Sequence, residues 1–318
     1  MGEQTKIEGC DSTWNPWYCC REVSAGCANC YARTWAKRAG RPWGRPIGAL
    51  RNTFEAPLRW KQPRKIFVCS LSDFFFSLRG RVRIWQQDAA RIMANASQHT
   101  YLILTKRPAN IGFTLTNPSI ESIWPWRSVW LGVTVENQEA VWRIEELAKI
   151  PAAVRWVSFE PLIGPVTVPD HLWDEIDWIV IGGETDQGFQ KKARMMDTDW
   201  LEHLLEQADE AEVPVFFKQW GEWAPLYAVR CDGAGLLAGL TAQSVPGEST
   251  YHYRVGRKQI LKNAWYYPPF MLPRDFPRQC RVCRCTERMP CNDPIDGPCS
   301  WIDDDLCSSC ARKGPCED

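Results

Sequence analysis

Residues 129–160, VWLGVTVENQEAVWRIEELAKIPAAVRWVSFE, decide the fold class. Val129 to Val135 is an apolar run of strand length, rich in β-branched residues, and it breaks at Glu136 and Asn137, where Asn137 suits a helix cap. Val141, Ile144, Leu147 and Ala148 then recur on one helical face, and Arg155 to Phe159 reads as a second strand that ends at Glu160. Strand, helix and strand in so short a span form a βαβ unit, whose two strands must run parallel.

The same alternation extends in both directions. Further strands read at Ile66 to Ser70, Tyr101 to Thr105, Trp178 to Ile181 and Val215 to Phe217. Helical faces read at Trp85, Ala89, Ile92, Met93 and Ala96, and at Leu201, Leu204, Leu205 and Ala208 behind a cap at Asp197 or Thr198. An open doubly wound sheet and a (β/α) barrel both satisfy this order. The strand ends favour the barrel, whole or partial. Each apolar run gives way to polar residues at its C-terminal end: Ser70, Ser72 and Asp73; Thr105, Lys106 and Arg107; Thr134 and Glu136; Ser158 and Glu160; Gly182, Gly183 and Glu184; Lys218 and Gln219. A barrel gathers all such ends at one mouth, whereas an open sheet gathers only those at its switch point. Asp73, Lys106, Glu136, Glu160 and Lys218 are therefore candidate catalytic residues, and Ser70, Ser72, Gly182, Gly183 and Glu184 candidate cofactor contacts. The competing reading is that these charges pair with one another across the mouth.

The alternation stops near residue 220. Residues 1–220 read as the barrel, 221–279 as an irregular Gly-, Pro- and Trp-containing extension with room for a hairpin, and 280–318 as a Cys-rich segment too poor in apolar residues to fold without metal. The chain of 318 residues has 38 Lys/Arg and 38 Asp/Glu, yet the charge is unevenly placed. Residues 31–127 carry 17 Lys/Arg against 4 Asp/Glu, and residues 128–213 carry 6 against 18. No apolar run reaches membrane-spanning length and the first residues lack a signal-peptide layout, so the expected setting is the cytoplasm, with no membrane partner.

Fifteen Cys in such a setting point to metal before disulfides. Cys20, Cys27 and Cys30 follow a C-x6-C-x2-C spacing on a loop that enters a helix near Tyr31. Three thiolates can hold three corners of a 4Fe-4S cluster and leave one iron open to a substrate or cofactor. Cys10 or Cys19 is at hand as a fourth ligand, which would close the site as structural zinc. The C-terminal pairs Cys280/Cys283 and Cys307/Cys310, separated by 23 residues, have the layout of a tetrahedral zinc site. The Gly182-Gly183-Glu184 triplet lacks the third glycine of a dinucleotide fingerprint, so no nicotinamide cofactor is expected.

The segments TWNPWYCC, SAGCANCYA, SLSDFF, YLILTKRP, VWLGVTVENQ, RWVSFEPLIGP, WIVIGGE and ARMMDTDWLEHLLEQADEAEVPVFFKQWGEW lie in order within a stretch from residue 6 to about 223. Together they resemble the phage-associated three-Cys-motif proteins, a family of unknown function whose cysteine motif is described as radical-SAM-like. The resemblance implies Cys20, Cys27 and Cys30 as cluster ligands and S-adenosylmethionine as the molecule bound at the open iron. Radical S-adenosylmethionine enzymes use a C-x3-C-x2-C loop after the first barrel strand, and a G-G-E segment after the second touches the cofactor. Here the first gap is longer and the G-G-E follows a later strand. Cys10 and Cys19 also depart from the family pattern, which has an aromatic residue and a glycine there.

The basic stretch 31–127 interleaves charge with rings: Arg41, Arg45 and Arg64 alternate with Trp35, Trp43 and Trp60. Cations suit phosphates and indoles suit bases, so a nucleic-acid substrate is one expectation and a protein partner for the positive face is the other. The functional expectation is a radical-SAM-like iron–sulfur protein that modifies a nucleic acid or nucleotide in a phage or prophage context. The alternative is a non-catalytic, zinc-stabilised nucleic-acid-binding or adaptor protein.

Overall fold

The computed structural model describes residues 4, 5, 7, 9–77, 79–115, 126–185 and 192–225, together with short strand pieces between residues 242 and 307. Seven strands form one sheet: β1 (Ser12–Trp14), β2 (Lys65–Val68), β3 (Thr100–Thr105), β4 (Val129–Thr134), β5 (Val154–Phe159), β6 (Trp178–Gly182) and β7 (Val215–Gln219). Each pairs in parallel with the next in sequence, and the order never reverses. A doubly wound sheet needs a reversal to create its switch point. Without one, the sheet curls into a half-barrel, with β1 and β7 as its unjoined edges.

Among the described residues, seven helices accompany the strands: α1 (Tyr31–Arg38), α2 (Arg51–Phe54), α3 (Gly80–Asn95), α4 (Ile111–Leu115), α5 (Trp142–Ala148), α6 (Asp170–Trp173) and α7 (Thr198–Glu210). The expected helical faces lie on α3, α5 and α7. Asp197 caps α7 by accepting from the Asp199 amide at 2.9 Å, as its position predicts. Asn137 precedes a single 3-10 turn ahead of α5 and makes no side-chain cap bond.

Strand alternation divides the sheet into two faces. Ile66, Tyr101, Leu131, Val157, Ile179 and Phe217 point outward into the core beneath the helices. Leu102, Trp130, Val154, Trp156, Trp178 and Val180 point inward and form a second cluster, joined by Phe67, Leu104 and Phe216. Gly132 pairs with Trp156 across β4 and β5, and a Cβ at Gly132 would lie 2.4 Å from that indole, so the missing side chain makes room for the ring.

Beyond β7, Trp223–Pro225 (β8), Ala242–Ser244 (β9) and Tyr251–Arg254 (β10) form a small antiparallel sheet, in the stretch read as an irregular extension. Within the Cys-rich segment only short two-stranded pieces such as Trp301–Asp303 with Leu306–Cys307 are described. The ligand set Cys280, Cys283 and Cys310 falls outside the described residues, and for Cys307 only the backbone strand is described. No helix among the described residues is long and apolar enough to cross a membrane.

Candidate active site

Along the inward face the residue type changes with height. Apolar residues fill the N-terminal half of each strand. At the C-terminal ends the same alternation places Lys106, Thr134, Glu136, Ser158, Glu160, Gly182 and Glu184 on that face. A cavity of about 450 Å³ opens there, within the size range of small-molecule sites. Its walls include Cys20, Cys27 and Cys30 together with Ser70, Ser72, Asp73, Lys106, Glu160, Gly183, Glu184 and Lys218. One cavity thus joins the cysteine loop to all but two of the mouth residues read from the sequence; Glu136 and Gly182 stand beside it.

Most of these polar groups hold the cysteine loop in place. Asp73 is buried and takes hydrogen bonds from the Phe75 amide (2.9 Å), the Thr105 hydroxyl (2.8 Å) and Arg107 Nη1 (2.8 Å). Arg107 in turn donates to the Arg21 carbonyl at 2.7 Å and to Cys20 Sγ at 3.6 Å. The Ser72 hydroxyl donates to the Cys19 carbonyl at 2.7 Å, and the Tyr31 hydroxyl to the Ser70 carbonyl. Glu136 pairs with buried Arg143 at 2.7 Å and accepts from the Gly26 amide at 3.4 Å. Glu184 accepts from Asn29 Nδ2 at 2.9 Å and pairs with Arg194, which also donates to the Ala25 carbonyl at 3.0 Å. Glu160 receives both hydrogen bonds of a two-pronged contact from Lys218, at 2.8 and 2.9 Å.

The pairing reading therefore describes Asp73, Glu136, Glu160, Glu184 and Lys218. Lys106 differs: among the described residues its ammonium has no hydrogen-bond or ion-pair partner.

The glycine pair also has a packing role. A Cβ on Gly183 would lie 1.9 Å from the Trp220 carbonyl oxygen, whereas one on Gly182 would meet only the end of the Glu160 side chain, at 3.2 Å. The close approach that Gly183 permits is to the chain's own backbone.

Burial sets the state of the thiols. It pushes the Cys20 thiol up to about 12, with Asp73 adding to the rise and Arg107 opposing it, and it raises Cys30 as well. Cys10 is also pushed up to about 12 by burial; its charged neighbours are Lys218, Asp11 and Lys65, and it packs on the inward aromatic cluster. Cys19 is wholly buried and its charged neighbour is Arg41. The thiol whose charged neighbours are Asp73 and Cys20 is Cys69, at the end of β2, buried and lining the same cavity. Its isolated place in the sequence gave no hint of this; the signal was its position at a strand's C-terminal end.

Among the described residues no three His, Cys, Asp or Glu side chains are gathered closely enough to hold a metal ion as they stand. The fit of the loop to a cluster rests on donor type and placement: three thiols from one clamped loop face one cavity, and buried thiolates need a nearby cation to be stable.

Of the rings in the basic stretch, Trp43 lines the cavity, Trp35 stacks on Tyr18 (5.1 Å, 27°), and Trp60 packs under Arg64 (5.1 Å). Arg64 also donates to Ser12 at 3.0 Å, while Arg41 and Arg45 are exposed.

A family model described as "Protein of unknown function (DUF5131)" matches residues 4–259. No curated protein and no solved structure matches the chain. The matched region takes in all seven strands of the half-barrel and the loop with Cys20, Cys27 and Cys30, and the chain belongs to this DUF5131 family.

Proposed function

We propose that this protein is an iron–sulfur enzyme of the radical S-adenosylmethionine type, acting on a nucleic acid or nucleotide in a phage or prophage setting. Cys20, Cys27 and Cys30 would hold a 4Fe-4S cluster. The observation that carries the reading is the clamping of one three-thiol loop over the C-terminal edge of a parallel half-barrel, facing a cavity of about 450 Å³. Parallel α/β barrels place their chemistry at that edge. When bound, the cluster and S-adenosylmethionine supply one-electron chemistry. The chain's own residues do the positioning. Arg107, Glu136 and Glu184 fix the loop, and Trp156, Trp178 and Phe216 close the floor against water.

The test is anaerobic purification and reconstitution followed by iron, sulfide and zinc analysis. Stoichiometric iron and sulfide, with the broad visible absorption of a thiolate-bound cluster, is the expected result. A protein that takes up only zinc under those conditions would reject the enzyme reading. It would favour a zinc-stabilised adaptor in which Cys69, the thiol beside Cys20, completes a closed site. The C-terminal pairs, with Cys280 and Cys307, carry a separate zinc in this proposal on the strength of their spacing.

A further inference from the structure

The charges around the mouth cancel in pairs, Asp73 with Arg107, Glu136 with Arg143, Glu160 with Lys218 and Glu184 with Arg194. Lys106 is in none of these pairs among the described residues; its charge bears on Glu136, which Arg143 already pairs. Thr134 pairs with Ser158 across β4 and β5, and Thr105 pairs with Val133 across β3 and β4, which places Lys106 beside Thr134. Lys106, Thr134 and Ser158 therefore stand in one row on three neighbouring strands, all lining the cavity. Thr134 is 1% exposed and its hydroxyl has no hydrogen-bond partner among the described residues, an arrangement that costs stability unless something in the cavity completes it. In the row beneath, Trp156 is level with Trp178, their ring centres 5.4 Å apart, and both indoles line the same cavity.

We propose that Lys106, Thr134 and Ser158 bind the phosphate of a nucleotide whose base lies against Trp156 and Trp178. This deepens the reading above by naming the unit recognised, and it rests on that reading only for the cavity being the substrate site. A cation with no close ion pair of its own among the described residues, flanked by two hydroxyls, suits an oxyanion. Donors spread over three strands suit the several oxygens of a tetrahedral phosphate better than a planar carboxylate, whose two oxygens reach two neighbours. The two indoles below, inclined 34° to each other, offer an apolar wall for a ring that stacks without regard to base identity.

The test uses the full chain, purified anaerobically. Calorimetry and tryptophan fluorescence compare each of the four ribonucleoside 5′-monophosphates with its nucleoside, and include S-adenosylmethionine and a single-stranded tetranucleotide. At least one monophosphate should bind about tenfold tighter than its nucleoside, the value of one charge-assisted contact. Thr134→Val, which leaves the charge beside Cys30 and Glu136 in place, should reduce that margin with iron content and S-adenosylmethionine binding unchanged, and Lys106→Met should erase it. Tighter binding of the tetranucleotide than of any monophosphate would assign the unit to a strand; the reverse would assign it to a free nucleotide.

The proposal is overturned if no monophosphate shows the margin, if the margin survives Lys106→Met, or if that substitution weakens S-adenosylmethionine instead. A protein without iron that keeps the margin sinks only the cluster reading. A protein with its cluster and no margin sinks only this one.

Discussion

Glu184 accepts a hydrogen bond from Asn29 at 2.9 Å across 155 positions of sequence, and so ties the end of β6 to the three-Cys loop. The same carboxylate holds Arg194, which reaches the Ala25 carbonyl on that loop at 3.0 Å. Glu184 is buried while Arg194 is partly solvated, so removing the carboxylate leaves Asn29 and Arg194 unpaired but not fully stranded. Glu184→Ala should lower unfolding free energy by about 2 kcal/mol and reduce the iron retained after reconstitution. Urea titration and iron analysis check this; an unchanged midpoint with full iron would show that the loop does not depend on this tie.

The adjacent glycines separate two kinds of crowding. Gly183→Ala drives a methyl into the Trp220 carbonyl, which belongs to the backbone and cannot turn aside. Gly182→Ala meets the Glu160 side chain at 3.2 Å, which can give way by loosening its contact with Lys218. The first should cost about 3 kcal/mol or more and the second less than about 1 kcal/mol, read as thermal midpoints. Equal losses would mean that the backbone near Trp220 yields.

Much of this arrangement was legible in the sequence because strands and helices write their periods there. The six apolar runs and their polar ends located the strands, and the sequential order of βα units pointed to the barrel mouth. The first strand was not located: Ser12–Trp14 is three residues long, too short to carry an alternation. What the mouth residues do was not legible either. Pairings such as Glu136 with Arg143 and Asp73 with Arg107 depend on side-chain reach across neighbouring elements. Cys69 stands at the end of an expected strand, but its place in one cavity wall with the loop thiols exists only after β2 and the loop are brought together.

Glu136 gives the fold a pH signature. Burial alone would push its carboxyl up, but Lys106 and Arg143 outweigh it and hold the carboxyl below the ordinary glutamate value of 4.5. A carboxyl depressed in the folded state contributes stability that is complete above its unfolded value and is lost as pH falls through its folded value. Glu136→Gln should therefore melt lower than the parent at neutral pH, by about 2 kcal/mol or more, since Arg143 is left buried without a counter-charge. The gap should close below about pH 4 as the parent's own carboxyl protonates. Melting curves across that range decide it; a gap constant with pH would mean that the ionisation of Glu136 contributes nothing.

The number of thiols that hold the cluster decides whether one iron stays open. Cys69 is buried in the wall of the cavity that Cys20, Cys27 and Cys30 line, so it is a candidate fourth donor if the metal site is closed. In an open cluster with three ligands, Cys69 is a small buried group and nothing more. Cys69→Ser should then keep the full iron and sulfide content after anaerobic reconstitution, at a stability cost of about 1 kcal/mol for burying a hydroxyl. Cys20→Ser should lose most of the iron, because it removes one of three thiolate ligands while leaving Arg107 a hydroxyl to donate to. Iron per chain and the melting point, measured on both variants, separate the cases. Loss of iron in Cys69→Ser with an otherwise stable fold would mean four thiols close the site, and no iron would then remain open for S-adenosylmethionine.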